Sequence, residues 1–156
     1  MATKSIEKTY SASTVARYFL TLVDDDAGEL MSNLKLQKLL YYAQGYHLAM
    51  FDRPLFHEPI QAWTLGPVIR SVYDEYKAYG AGAIPRPRDG DCAELTPETR
   101  EFLDSIYCEL GQYSAWRLSE MTHEDPPWKA AYKKGANTVI THTAMRDYFR
   151  TLVEDE

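Results

Sequence analysis

The run His123-Glu124-Asp125 carries the most reactive side chains in the sequence, and it begins like the histidine–glutamate motif of zinc proteases. That motif places a second histidine one helical turn after the first, so that both imidazoles reach the same metal ion. Here position 127 is Pro127, which also interrupts the helix that would present the ligands. The run therefore predicts a helix-terminal histidine bonded to the backbone, and a small enzyme that uses these residues is kept as an alternative.

The other residue types that support metal binding or nucleophilic catalysis are scattered. Cys92 follows Asp91, whose charge disfavours a thiolate, and Cys108 lies at the edge of the apolar face of a helix. The sequence contains neither a Gly-x-Ser-x-Gly elbow nor a phosphate-binding glycine loop. We therefore predict a protein that is not an enzyme, with no catalytic, metal-binding or cofactor-binding residues. The remaining histidines show no ligand spacing: His47, His57 and His142.

Composition disfavours several further classes of function. Seventeen basic and twenty-three acidic residues give the 156-residue chain a net charge of −6, which disfavours extended contact with nucleic acid or anionic lipid. No apolar run approaches the roughly eighteen residues of a membrane span, and the N-terminus lacks the apolar segment of a secretory signal. Two unpatterned cysteines indicate reduced thiols, so we expect a cytoplasmic protein. Twelve tyrosines suit a recognition protein.

The strongest structural prediction is a central helix from Leu34 to Phe51, capped by Ser32 or Asn33. The helix is apolar on most sides, which predicts a position in the middle of the domain. Gly45 costs about 1 kcal/mol relative to alanine inside a helix, so a neighbour approaches closely there or the position is merely tolerated. One stripe of this helix combines the following residues: Leu36, Leu39, Leu40, Ala43, His47 and Met50.

Two basic residues of the central helix, Lys35 and Lys38, share one face with Tyr42. The interpretation we favour is a solvated face. The three tryptophans Trp63, Trp116 and Trp128 lie beside changes of chain direction, where each is either a core anchor or a contact residue, and we favour the core.

The remaining elements predict a mainly α fold, a single compact domain of about six helices over residues 11–153 after a flexible segment 1–10. Alternation predicts a strand from Ile60 to Leu65, and Gly66-Pro67 is expected to open a helix that runs to Gly80. Residues 80–91 form the longest loop. Further helices are predicted from Thr96, over 114–121, over 128–134 and from Thr141. A second strand over 138–140 would complete a two-stranded ribbon if the strands pair.

A long ordered set of motifs resembles the Panacea domain family, which includes the SocA-like antitoxins. The central run 35–49, KLQKLLYYAQGYHLA, is followed by RPLF at 53–56, EPIQAW at 58–63 and GPV at 66–68. The second half continues with LSEMTH at 118–123 and with Pro127, Trp128 and Ala131. The resemblance covers about residues 11–150.

The resemblance implies a helical domain carried by phages, prophages and bacterial genomes, which neutralises a cognate protein toxin by direct contact. It leaves open which toxin is bound, whether the toxin is blocked or delivered to a cellular protease, and the oligomeric state. Many family members carry a separate DNA-binding segment, and we expect none here. A nucleic-acid-binding regulator is nevertheless kept as an alternative, on the strength of Lys35, Lys38, Arg86 and Arg88.

Two sets of residues are the candidate site. The loop that follows the helix predicted to end at Gly80 is expected to face the partner, through Tyr79, Ile84, Arg86 and Arg88. The motif positions are interpreted as either scaffold or partner contacts, and they are Lys35, Gln37, Lys38, Tyr41, Tyr42, Gln44, Trp63, Gly66, Pro67, His123, Pro127 and Trp128.

Overall fold

The computed structural model describes residues 8–87 and 94–154, and it is mainly α-helical as predicted. Within these ranges we number seven α helices and three strands, against the expected six and two. The elements in chain order are α1 Ala12–Thr21, α2 Asn33–Phe51, β1 Ile60–Trp63, β2 Gly66–Val68, α3 Arg70–Tyr76, α4 Pro97–Leu110, α5 Ala115–His123, α6 Pro126–Lys134, β3 Thr138–Ile140 and α7 His142–Glu154.

Helix α2 is the centre of the fold, as its apolar character predicted. Helices α1, α3, α4, α5 and α7 and strand β2 all pack against it. Met50 is the one residue of this helix that is mainly exposed, at 51%, which differs from its predicted place on the buried stripe. The reason is its position at the end of the helix, where an open groove separates α2 from α4 and α7.

Side-chain hydroxyls cap the starts of α1, α2, α4 and α7, and the last three starts were predicted at Ser32, Thr96 and Thr141. Ser11 caps α1, Ser32 caps α2 and Thr96 caps α4, each accepting a hydrogen bond from the backbone amide three residues on. Thr141 does the same for α7, through the amide of Ala144 at 3.1 Å. These caps satisfy amides that the first turn of a helix leaves without a partner, which fixes where each helix begins.

The glycine inside α2 marks a close helix–helix approach. A Cβ at Gly45 would collide with the ring of Phe149 on α7, so alanine would not fit without a shift of that ring. The Phe149 ring also packs edge-on against Tyr41, Tyr42 and Tyr46, with centroids 4.8–5.8 Å apart. Of the two explanations offered by the sequence, the close neighbour is the correct one.

The region after α2 differs from its prediction. Gly66-Pro67 opens no helix: Gly66 to Val68 is a strand, and α3 begins only at Arg70. The strand order is β2-β1-β3, with both pairs antiparallel, so the ribbon has three strands. The physical cause is Gly66, whose φ of 117° reverses the chain after β1 and lets it pair back on itself.

The chain is already ordered before α1. Tyr10 is buried at 3% exposure and forms a parallel bridge with Phe56, and its amide donates to the carbonyl of Leu55 at 2.9 Å. Residues 1–7 of the predicted flexible segment lie outside the described residues, and the domain boundary at residue 11 stays a prediction. Among the described helices, none combines the length and apolarity needed to cross a bilayer.

Candidate partner-binding site

Two glutamines of the α2 motif, Gln37 and Gln44, face inward and bind the backbone of the segment that follows the helix. The side chain of Gln44 accepts from the amide of Leu55 at 2.7 Å and donates to the carbonyl of Phe56 at 2.9 Å. Gln37 accepts from the amide of Ile69 at 2.8 Å. Both glutamines are 1% exposed or less. Leu55, Phe56 and Ile69 lie outside helices and strands, so their backbone groups lack regular hydrogen-bond partners. The side-chain amides of the two glutamines supply these hydrogen bonds.

Lys38 corrects the prediction of a solvated face. Its side chain is 0% exposed, and its Nζ donates to the carbonyl of Pro67 at 3.0 Å, while Tyr42 on the same face is also buried. Burial lowers the pKa of Lys38 to about 7. A Cβ at Gly66 would lie 2.7 Å from Lys38 Cε and 2.6 Å from Thr122 Oγ1. The lysine stem therefore fills space that only glycine leaves open.

The carboxylate of Asp125, at the start of α6, is surrounded by tyrosines and packs against another face of α2. Asp125 is 5% exposed, and it accepts from Tyr148 Oη at 2.9 Å and from Tyr41 Oη at 3.1 Å. Burial raises the pKa of Asp125 to about 6, against the opposing effect of the hydrogen bonds from Tyr148, Tyr41 and Tyr42. Burial and the nearby carboxylate raise the pKa of Tyr41 in turn. The cluster ties α2 and α7 to the start of α6.

His123 and the two motif tryptophans hold the turn between β1 and β2. The Nε2 atom of His123 is 2.8 Å from the carbonyl oxygen of Thr64, and its ring lies 4.5 Å from that of Trp128. Trp128, on the α6 turn opened by Pro126 and Pro127, donates its indole N–H to the carbonyl of Trp63 at 2.9 Å. His123 is thus bonded to backbone, as the sequence predicted.

The three side chains of the run His123-Glu124-Asp125 do not form one site; each has a different partner. His123 binds the hairpin, Glu124 is mainly exposed and forms an ion pair with Lys129 at 3.6 Å, and Asp125 binds tyrosines. Residues 8–87 and 94–154 hold no group of three or more histidine, cysteine or acidic side chains arranged for a metal ion.

Of the residues proposed for nucleic-acid contact, the three that the structure describes do not form a basic surface. Lys38 is buried, and Lys35 Nζ donates to the carbonyl of Gly111 at 2.6 Å. Arg86 donates twice to the carbonyl of Thr21, at 3.0 and 2.7 Å. Arg88 lies outside the described residues.

The described part of the predicted partner-facing loop is partly packed into the fold. Ile84 is 7% exposed and its amide donates to the carbonyl of Met31 at 2.8 Å, so it belongs to the core of the fold. An apolar side chain is the reason, since it gains more from the core than from solvent. Tyr79 is 45% exposed and keeps its ring available.

The tryptophans divide between core and surface. Trp128 is 9% exposed, and Trp63 is half-buried against the ring of Tyr73 at 4.9 Å. Trp116 is 62% exposed, so the core prediction was wrong for it. It lies in the first turn of α5, on a side of the helix that no described element covers.

An apolar groove of about 690 Å³ lies between the C-terminal half of α2, the length of α4 and the end of α7. Three of its lining residues are glutamates and none is basic. The groove is lined by Tyr46, Met50, Phe51, Glu98, Glu101, Phe102, Ser105, Ile106, Glu109, Leu110, Leu152 and Val153.

Sequence reasoning missed this groove. The helix from Thr96 was predicted, but not the groove beside it. Phe102 and Ile106 of α4 are buried, Leu110 is half-buried, and all three line the groove. The available signal was the width of the apolar stripe on α4, which also includes Leu103 and Tyr107. A stripe this wide exceeds what one neighbouring helix covers.

The structure is thus a helical domain whose central helix directs most of its motif side chains inward and whose end opens onto an apolar groove. Comparison with known proteins gives its family. The family model "Antitoxin SocA-like, Panacea domain" matches residues 36–129, and the chain belongs to this family. Antitoxin SocA of Caulobacter vibrioides (strain NA1000 / CB15N) is 32% identical over 164 residues, which span 88% of this chain and 84% of SocA. No solved structure matches the chain significantly.

Proposed function

We propose that this protein is an antitoxin that neutralises a cognate protein toxin by direct, non-enzymatic binding in the cytoplasm. The observation that carries the proposal is the relationship to antitoxin SocA over nearly the whole length of both chains. The geometry agrees with a binding role, because the side chains best suited to chemistry are bonded to backbone or to one another. An exposed apolar groove remains for a partner.

The buried polar residues support the division between scaffold and contact surface. Gln37, Lys38 and Gln44 fix the segment after α2 in place, so they set the shape that a toxin meets without touching it. Toxins of different structure can then be bound by one scaffold through changes in its exposed residues alone. We therefore expect the residues that determine toxin specificity to lie outside the motif positions.

The test is co-expression of this chain with the product of the neighbouring gene, which we expect to be toxic when expressed alone. Direct binding predicts that growth is restored and that the two proteins co-purify in a fixed ratio. The mass of the toxin should be unchanged, because an enzyme that modified it would alter that mass. Persistent toxicity with both proteins soluble and separate would refute the proposal.

The level of toxin separates two mechanisms of neutralisation. If the antitoxin blocks its target, the amount of toxin stays constant during rescue. If it delivers the toxin to a cellular protease, the toxin disappears, and its half-life lengthens when that protease is inhibited. We favour blocking, because the groove offers a surface large enough to cover an active segment of the toxin.

A further inference from the structure

The groove has two parallel lines of side chains on α4. The apolar line is Phe102, Ile106 and Leu110, at intervals of four residues. Beside it runs the line Glu101, Ser105 and Glu109, in which both glutamates are exposed. Eight residues of helix separate these glutamates by roughly 12 Å along the axis. The apolar floor is thus bordered by negative charge at a defined spacing.

The far wall of the groove is also apolar. It is formed by Tyr46, Met50 and Phe51 from the end of α2 and by Leu152 and Val153 from the end of α7. Met50 is among the most exposed large apolar side chains of the described residues. Exposed apolar surface with a charged rim is typical of a protein-binding site.

Charge determines which partner suits this surface. No lysine, arginine or histidine lines the groove, so a bound segment meets carboxylates alone at the rim. A second copy of the chain is a poor occupant, because docking groove to groove would place glutamates opposite glutamates. Helix α6, which carries Lys129 and Lys133, has already buried the apolar side chains Trp128 and Ala131 within its own fold.

We propose that the groove binds a basic amphipathic helix of the partner protein, with its apolar face on Phe102 and Ile106 and its lysines or arginines on Glu101 and Glu109. The spacing of the glutamates requires basic residues seven or eight positions apart, on one edge of the apolar face. The proposal rests on the proposed function, since it names the part of a toxin that this antitoxin recognises.

The experiment measures binding of a synthetic helical peptide as long as α4, labelled with fluorescein, by fluorescence anisotropy. Its leucines follow helical spacing, and two lysines lie eight positions apart on one edge. The groove variant is the double charge reversal Glu101→Lys with Glu109→Lys. The matched control is Glu120→Lys with Glu124→Lys, which makes the same change in net charge at exposed positions outside the groove. Circular dichroism checks that each variant is folded.

The proposal predicts that the groove variant binds the peptide at least about tenfold more weakly than the control, and that added salt weakens binding to the wild type. A peptide with glutamates in place of the lysines should bind the groove variant better than the wild type. Equal binding by the groove variant and the control would overturn the proposal. So would a wild-type dimer in sedimentation velocity that the groove variant converts to a monomer.

The same two variants, tested against the neighbouring gene's product, separate failure of this inference from failure of the proposed function. Loss of co-purification and rescue only in the groove variant supports both. Rescue by both variants leaves the antitoxin function intact and overturns the groove as its site. Absence of rescue by the wild type refutes the antitoxin function, and the peptide measurement still decides whether the groove binds a basic helix.

Discussion

The two ends of helix α2 differ in how they use side chains. Its first twelve residues include Gln37, Lys38 and Gln44, which are buried and bonded to the backbone of residues 55–69. Its last turn carries Met50 and Phe51, which open onto the groove. The motif run 35–49 ends just before these two residues. Most motif residues of α2 are therefore buried in the fold, whereas the exposed end of the helix follows the motif.

The largest expected effect is at Gly66, where the hairpin meets Lys38. We expect Gly66→Ala to lower the free energy of unfolding by about 3–4 kcal/mol, because it adds both backbone strain and a steric collision. Gly28→Ala is the matched control: its φ of 81° is also positive, but nothing lies within 4 Å of the added Cβ. The control should lose about 1 kcal/mol in urea denaturation. Equal losses would show that the hairpin does not approach α2 as described.

Gln44→Leu should be the next most damaging change. It leaves the amide of Leu55 and the carbonyl of Phe56 buried without their partners, which costs about 2–3 kcal/mol. The control is Gln112→Leu, since Gln112 is exposed and donates only to the carbonyl of Glu109. Chemical denaturation that gives the same midpoint for both variants would contradict the scaffold role of Gln44.

Because Lys38 is buried, the stability of the fold should depend on pH. Its pKa of about 7 in the folded state lies below the 10.5 of the unfolded chain, so the unfolded chain binds more protons between these values. Stability should therefore rise by about 2 kcal/mol from pH 7 to pH 9 and be lost again as the pH falls. Lys38→Met should remove this rise in thermal melts, whereas Lys129→Met at an exposed position should retain it.

Asp125 and Tyr41 change the stability of the fold outside the range from pH 7 to pH 9. The pKa of Asp125 is raised to about 6, so its folded form binds the extra proton between pH 4 and 6 and stability falls as pH rises there. The raised pKa of Tyr41 matters only near pH 10 and above, where unfolded tyrosines begin to ionise. A rise between pH 7 and 9 that persists in Lys38→Met would contradict the burial of the amine.

The smallest effect on stability is expected in the groove. The double variant Glu101→Gln with Glu109→Gln should change the free energy of unfolding by less than about 0.5 kcal/mol, because both side chains are exposed. It should nevertheless weaken binding of a basic helical peptide. A large loss of stability would show that these glutamates belong to the scaffold, which would remove the contrast between the two ends of α2.

The sequence predicted those features that depend on local chemistry. Ser32 and Thr96 marked helix starts through their hydroxyls, and the periodicity of α2 predicted its burial. The sequence-based predictions failed where burial or conformation depends on residues far away in the chain. Lys38 is charged and looks solvated in sequence, but its burial depends on the carbonyl of Pro67, twenty-nine residues away. Pro67 itself favours a helix start, yet the turn at Gly66 places it in a strand.

The groove escaped prediction for a similar reason. Phe149 of α7 packs closely on Gly45 of α2, and the groove lies between these two helices and α4. A gap between three helices is a property of their arrangement, so no single segment encodes it. Trp116 was misassigned likewise, because exposure depends on which elements cover α5.

Hydrogen–deuterium exchange of the antitoxin, alone and with the neighbouring gene's product bound, tests the central claim most directly. We predict that binding slows amide exchange at residues 97–110, 46–51 and 149–153, which border the groove. Exchange over residues 60–68 should change little. Protection confined to residues 60–68 and 115–123, around the hairpin and Trp116, would contradict it.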